Sequence, residues 1–357
     1  MSTFAKSAFN ASSYSASRPT YPPQLFEYIF SFHRRGSKLN KAQWERAVDL
    51  GCGTGQATIH LRPFREVIGV DPSQGMLEKA RLYAASSEGP ERDSTLPKFS
   101  FVQGSAEDLS KAIPENESVD LLVAGQAAHW FDWNKVWPET HRVLRRGGTA
   151  AFWVYAEFRL PQFPSLGPKI TAYAQGTDPR TSLGTYFQRP GRTILERHLI
   201  DVPEPSTVVK EGFEALERVY FCGTFFISTA LSETHHESLG ENIPPFVPKN
   251  APVHPVLMQK EMRWRDLLAY FRTWSALYTY QEKFPEDLKQ SEDMRFLEDD
   301  LANSLEPLDE LRGGDIAIRF WKDLRQGALE ADPGTGVAAE DKVQVEWPVA
   351  LLLARKE

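Results

Sequence analysis

Two cysteines, Cys52 and Cys222, are all that 357 residues contain. That is too few for a disulfide framework or a thiolate metal site, and it suits a reducing compartment. No stretch approaches the ~18 consecutive apolar residues of a membrane span. Segment 1–10 has no apolar run behind Lys6, so neither secretion nor membrane insertion is expected. Positive charge is not in excess either: 41 Lys and Arg against 48 Asp and Glu leave a net charge of −7, which offers no overall field for a phosphate backbone. His235, His236 and His254 occur without further ligands at metal-binding spacing, so they read as solvated loop residues and no metal is expected. Repeats and low-complexity tracts are missing as well. What remains is an ordinary globular composition, 41% hydrophobic and 25% charged, expected of a soluble cytoplasmic protein.

The first part of the chain alternates apolar runs with amphipathic stretches, the pattern of a parallel α/β sheet. Strands are predicted over 47–50, 66–70, 99–102, 119–124 and 149–154. Helical stretches are predicted over 56–61, 76–85, 106–109 and 134–144, with Gly147-Gly148 closing the last as a C-cap. From Tyr155 onward, prolines at 161, 164, 168, 179, 190, 203 and 205 interrupt any long element, which points to an insertion over the sheet edge. Residues 232–255 lack periodicity and read as a loop. Trp264, Leu267, Leu268, Phe271, Trp274 and Tyr278 recur at helical spacing and predict one helical stripe. Val343, Val345, Trp347, Val349 and the run 350–353 predict a terminal strand. The expected division is a core at 1–155, a cap at 156–280 and a completing segment at 281–357.

The sharpest local signal is Val48-Asp49-Leu50-Gly51-Cys52-Gly53-Thr54-Gly55-Gln56, where the first strand should turn into the first helix. Alternating glycines let the backbone bend tightly and bring peptide N–H groups against a ligand with no Cβ in the way. A helix starting there would add its positive end. The spacing misses the dinucleotide fingerprint, because Gln56 stands where its last small residue belongs, so a nicotinamide dehydrogenase is the weaker reading. Twenty residues beyond Gly51, Asp71 ends the second strand, where a carboxylate accepts ribose hydroxyls. Asp49 is placed to receive an amine or to fix the loop. After the third strand, Gly104-Ser105-Ala106-Glu107-Asp108 offers a small residue and an acid to the edge of a purine. These positions fall at the carboxyl ends of successive strands and together describe a site for an adenosine carrying an amino acid. Cys52 reads as a small residue inside the loop, since nothing basic adjoins it.

Through 48–56, Val70-Asp71-Pro72-Ser73 with Met76-Leu77, 104–109 and 144–149, residues 10–155 resemble the class I S-adenosylmethionine-dependent methyltransferases. More narrowly, Tyr14, Arg18-Pro19, Tyr21-Pro22, Ala128-His129-Trp130 and Arg272-Thr273-Trp274-Ser275 are similar to the fungal trans-aconitate methyltransferase group, which includes relatives that methylate small carboxylic-acid toxins. The resemblance implies an α/β fold with a Rossmann-like sheet, mostly parallel with the last strand reversed, and an inserted cap region. It implies S-adenosyl-L-methionine as cofactor and O-methylation of a small carboxylic acid or related acceptor, with neither nucleic acid nor membrane as partner. It places Tyr14, Arg18, Pro72, Met76 and Gln126 at the cofactor beside Asp49, Gly51, Gly53, Gly55, Asp71, Ser105, Ala106 and Glu107. Arg18, His129, Trp130, Arg272 and Trp274 fall to the acceptor. His129 is the catalytic candidate: it would deprotonate a phenol or hydroxyl, whereas an ionised carboxylate needs no base.

Blander readings stand beside these. His129 also fits a satisfied structural histidine, Arg272 a solvent-facing charge on an amphipathic helix, and the aromatic stripe ordinary core packing. A nucleobase methyltransferase is disfavoured, because 125–130 lacks the Pro-Pro-aromatic signature of such enzymes. A protein that binds the donor without catalysis is a separate class, distinguished by its failure to turn over any acceptor.

Overall fold

Among the described residues the strands are β1 (Arg46–Leu50), β2 (Glu66–Asp71), β3 (Lys98–Gln103), β4 (Val119–Gly125), β5 (Leu144–Tyr155), β6 (Glu217–Gly223), β7 (Val253–Pro255), β8 (Met258–Arg263), β9 (Lys342–Trp347) and β10 (Val349–Arg355). They come from a computed structural model that describes residues 18–36, 41–87, 97–210, 212–214, 216–223, 247–248, 251–303 and 309–357. Eight strands form one sheet in the order β3-β2-β1-β4-β5-β10-β6-β7. β10 runs antiparallel to both β5 and β6, and the other pairings are parallel. The fold is therefore the expected α/β, Rossmann-like sheet, mostly parallel with the last strand reversed. The largely apolar runs of β4 and β10 follow from this topology: residues 119–124 and 349–355 are all buried, Asp120 and Arg355 being the charged members, as expected of strands covered on both faces.

The chain divides into two units. The sheet unit comprises Thr20–Ala156, Pro190–Met258 and Pro348–Glu357; the second comprises Met1–Pro19, Glu157–Arg189 and Gln259–Trp347. The described residues within 190–258, expected in the cap, thus cluster with the sheet, while most of those within 281–357 cluster with the second unit. Within the sheet unit the chain returns from β3 to β4 on the far side of β1, so the strand order reverses between β1 and β4, where open α/β sheets collect ligands. In the second unit, aromatic rings carry the core. Tyr173 stacks on Phe320 with centroids 3.7 Å apart, and the Trp321 indole donates to Trp264 O at 2.8 Å. Arg325, buried, grips the buried Asp300 carboxylate through both terminal nitrogens.

Several local expectations are corrected. The helix expected over 56–61 is one 3-10 turn, Thr58–His60, and the 106–109 stretch is a turn closed by a Ser105–Asp108 bridge. Gly147-Gly148 does not cap a helix; it lies inside β5, because the helix Trp133–Val143 ends directly in the strand. The stripe from Trp264 to Tyr278 is two helices, Trp264–Arg272 and Ser275–Lys283. Thr273 separates them, its hydroxyl and its N–H both donating to Tyr270 O. The terminal strand is likewise two, split at Pro348. β9 alternates buried with more open residues, as a half-covered ribbon does, whereas β10 is buried throughout. Of the 232–255 loop, Val253–Pro255 pair as β7; His235 and His236 lie outside the described residues.

The last residues of β10 and its extension fasten the helices to the sheet. Arg355 donates to Phe32 O and Gly36 O at the end of helix Pro23–Arg34. Lys356, buried, donates from Nζ to His141 O and Leu144 O at 2.8 and 2.9 Å and to Glu117 at 2.9 Å. Each cation thus donates to carbonyls at or just beyond a helix end, where positive charge is favoured. Lys356→Met keeps the stem and removes the donors. It should cost about 2–3 kcal/mol in urea unfolding with an unchanged denaturant slope.

Candidate active site

At the end of β1 the chain turns through Gly51, Gly53 and Gly55 with φ of +64°, +55° and +86°. The N–H groups of Gly51 and Cys52 donate to Val70 O at 2.7 and 3.1 Å, which ties the loop to β2. Asp71, at the end of β2, completes the tie: Oδ2 accepts from Gly53 N–H at 3.0 Å and Oδ1 from Ser73 N–H at 2.8 Å. Burial pushes the Asp71 carboxyl upward and these two bonds pull it back. Asp71 thus fixes the glycine loop. Two glycines differ in what they face. A Cβ on Gly51 would stand 2.5 Å from the Cβ of Ala127, just beyond β4, whereas one on Gly53 would meet nothing within 4 Å.

Asp49, inside β1, is fully buried. Its Oδ2 accepts from the Thr58 hydroxyl at 2.6 Å, and its Oδ1 is buried with no hydrogen-bond partner among the described residues. Burial raises its pKa to about 7, the Thr58 bond opposing and the Asp71 charge adding to the rise. The orphaned carboxylate oxygen, four residues from the open face of Gly53, fits a ligand that brings an ammonium to Oδ1. Cys52 is structural: its thiol is buried beside Gly69, and burial first, then the charges of Asp49 and Asp71, hold its pKa well above the ordinary value.

The remaining cofactor candidates occupy the same ends of the strands. Met76 is buried in the first turn of helix Gln74–Ser87, and Pro72 is exposed just before it. Ser105, Ala106 and Glu107 form the turn after β3, with Glu107 Oε1 accepting from Asp132 N–H at 3.2 Å. Gln126 adopts φ +55°, and its side-chain amide is committed to Tyr155, donating to O at 3.0 Å and accepting from N–H at 2.8 Å. Gln126 therefore pins β4 to β5. Tyr14 lies outside the described residues.

His129 and Trp130 sit on the 3-10 turn Ala128–Trp130 after β4, rings 4.8 Å apart; His129 is buried, while Trp130 is 42% exposed. The other acceptor candidates belong to the second unit. There Arg18 donates to Thr273 O at 3.3 Å, with its guanidinium 5.4 Å from the Tyr270 ring centre. Arg272 lies 3.8 Å from Asp315, and Trp274 is buried among Tyr173, Tyr270 and Phe271. Two residues of the sheet-unit site carry no sequence signal of their own. Thr58 is one hydroxyl among many until the fold brings it to Asp49, and Ala127 matters because its methyl abuts Gly51.

Asp49 yields a stability prediction. A folded-state pKa of about 7 against an ordinary value near 3.9 means that the ligand-free fold loses stability as pH rises from about 4 to 7, by roughly 4 kcal/mol in all. Asp49→Asn should raise the Tm of the ligand-free protein at pH 8, by less at pH 5 and not at all at pH 4. The glycines give a contrasting pair. Gly51→Ala should lower Tm through its clash with Ala127. Gly53→Ala should cost only the roughly 1–2 kcal/mol of left-handed strain while weakening ligand binding, both read by thermal melts and calorimetry.

Comparison with known proteins accords with this geometry. Residues 48–152 match the family described as Methyltransferase domain. The "Probable S-adenosylmethionine-dependent methyltransferase CRG1" of Saccharomyces cerevisiae is 35% identical over 188 residues, covering 52% of this chain and 58% of the relative. An uncharacterized methyltransferase of Mycobacterium tuberculosis is 30% identical over 190 residues, covering 53% and 66%. The matched region thus spans less than two thirds of either relative. The solved structure of a "Putative Type II Methyltransferase" from Anaeromyxobacter dehalogenans superposes with a TM-score of 0.53 at 18% identity, covering 95% of this chain and 97% of that one; at that identity it speaks for the fold alone. Over residues 48–152 the chain matches a methyltransferase domain.

Proposed function

We propose that the whole chain transfers the methyl group of S-adenosylmethionine to a small acceptor, most closely a carboxylic acid of the trans-aconitate kind methylated on oxygen. The observation that carries the reading is the buried Asp49 carboxylate, with one oxygen unpartnered beside a glycine loop pinned by Asp71. Asp49 Oδ1 would hold the donor's ammonium, Asp71 its ribose hydroxyls, and 105–107 the purine edge. When bound, the donor supplies a sulfonium methyl group that is already strongly activated. The chain's own contribution is alignment and exclusion of water. An ionised carboxylate attacks without a base; a phenol would pass its proton to His129. The likeness of 128–130 and 272–275 to the trans-aconitate group supports the acid as acceptor. Guanidinium groups such as those of Arg18 and Arg272, which the same resemblance assigns to the acceptor, grip carboxylates in two-point fashion.

Incubation with methyl-labelled donor and a panel of small carboxylic acids and phenols, read by mass spectrometry, tests the proposal. A labelled methyl ester is the expected product. Donor binding with no transfer to any member of the panel would contradict it and favour a donor-binding protein without catalysis. His129→Asn should leave the pH–rate profile for a carboxylate acceptor nearly unchanged. For a phenol it should cut turnover by roughly 10²–10⁴-fold, with donor affinity intact in both cases.

A further inference from the structure

The turn Ala128–Trp130 is held on three sides within the sheet unit. Before it, Gln126 is bonded to Trp153 and Tyr155. After it, Asp132 N–H donates to Glu107. The third hold comes from a distant part of the chain, the helix Gly191–Glu196. A Cβ on Gly191 would stand 2.7 and 2.9 Å from Cε3 and Cζ3 of Trp130 and 3.0 Å from the carbonyl oxygen of His129. Only a residue without a side chain leaves room for the indole and the carbonyl together.

The helix has little freedom to retreat. Leu195 is buried on it, and Leu199, which follows in the left-handed region with φ +59°, is wholly buried in the sheet core. A methyl group at 191 would therefore press on the turn at 128–130, where the indole is the partly exposed neighbour.

We propose that Gly191 is a positioning residue for the acceptor side of methyl transfer: it sets where the partly exposed Trp130 indole and the His129 backbone lie. This rests on the reading that His129 and Trp130 border the acceptor.

The test is Gly191→Ala in the full chain. Alanine is the better helix former, so a harmless methyl would leave Tm unchanged or raise it. The proposal expects instead that amides 128–132 exchange hydrogen about tenfold faster. It expects kcat/KM for the best acid or phenol of the panel to fall roughly ten- to a hundredfold, mainly through KM, while S-adenosylhomocysteine affinity stays within about twofold. In a Trp130→Ala background the loss should shrink, because the indole is the group displaced. Unchanged exchange, unchanged kinetics in an active enzyme, or an equal loss in the Trp130→Ala background would each overturn the assignment. Wild-type protein that methylates nothing in the panel would overturn the proposed function and this assignment together, before any variant is made.

Discussion

Asp49 accepts one hydrogen bond where a buried carboxylate has room for several, and that imbalance organises the site around it. Thr58 satisfies Oδ2, and nothing among the described residues satisfies Oδ1. Taking a charge out of water without a partner is costly, and a carboxyl in that position responds by holding its proton to a higher pH. The ligand-free fold therefore carries a penalty near neutral pH that a cation at Oδ1 would relieve. Such strain is common where a protein is shaped for a charged ligand. Here it has a definite location, the last turn of the central strand before the glycine loop.

The rest of the loop is built to keep that oxygen accessible. Asp71 accepts from the loop with one oxygen and from its own next turn with the other, which ties the end of β1 to the end of β2. Gly51 presses against Ala127, which couples the loop to the end of β4, and Gln126 couples β4 to β5 through a side chain that imitates a strand partner. The donor side and the proposed acceptor side are thereby joined through ordinary contacts within one sheet. Rigid placement of this kind matters when the reacting group is already activated and geometry limits the rate.

Of the strands up to residue 155, β1, β2, β4 and β5 were legible because covered parallel strands are runs of apolar residues, whereas β3 is a part-exposed edge strand; the observed ends differ little from the expected ones except at β5, which begins at Leu144. Local hydrogen bonding defeated the other expectations. The stretch after the glycine loop has helical character in sequence, yet Thr58 turns its hydroxyl to Asp49 and the chain must reach β2 by Glu66, which leaves space for a single 3-10 turn. The aromatic periodicity from Trp264 to Tyr278 is continuous on paper, and Thr273 breaks it by folding its own hydroxyl back onto Tyr270. At the site, the glycines and both acids could be read from spacing. The commitment of the Gln126 amide to Tyr155 and the approach of Gly191 to Trp130 could not, because each joins segments far apart in the chain.

The central claim is that Asp49 is partly protonated in the ligand-free protein and ionised once it holds a cation. Calorimetry of S-adenosylhomocysteine binding at pH 7, repeated in two buffers of different ionisation enthalpy, measures the proton exchanged directly. With the Asp49 pKa at about 7, binding should release about half a proton per ligand, and the release should vanish in Asp49→Asn. Binding with no proton released, or with the same release in that variant, would contradict the account.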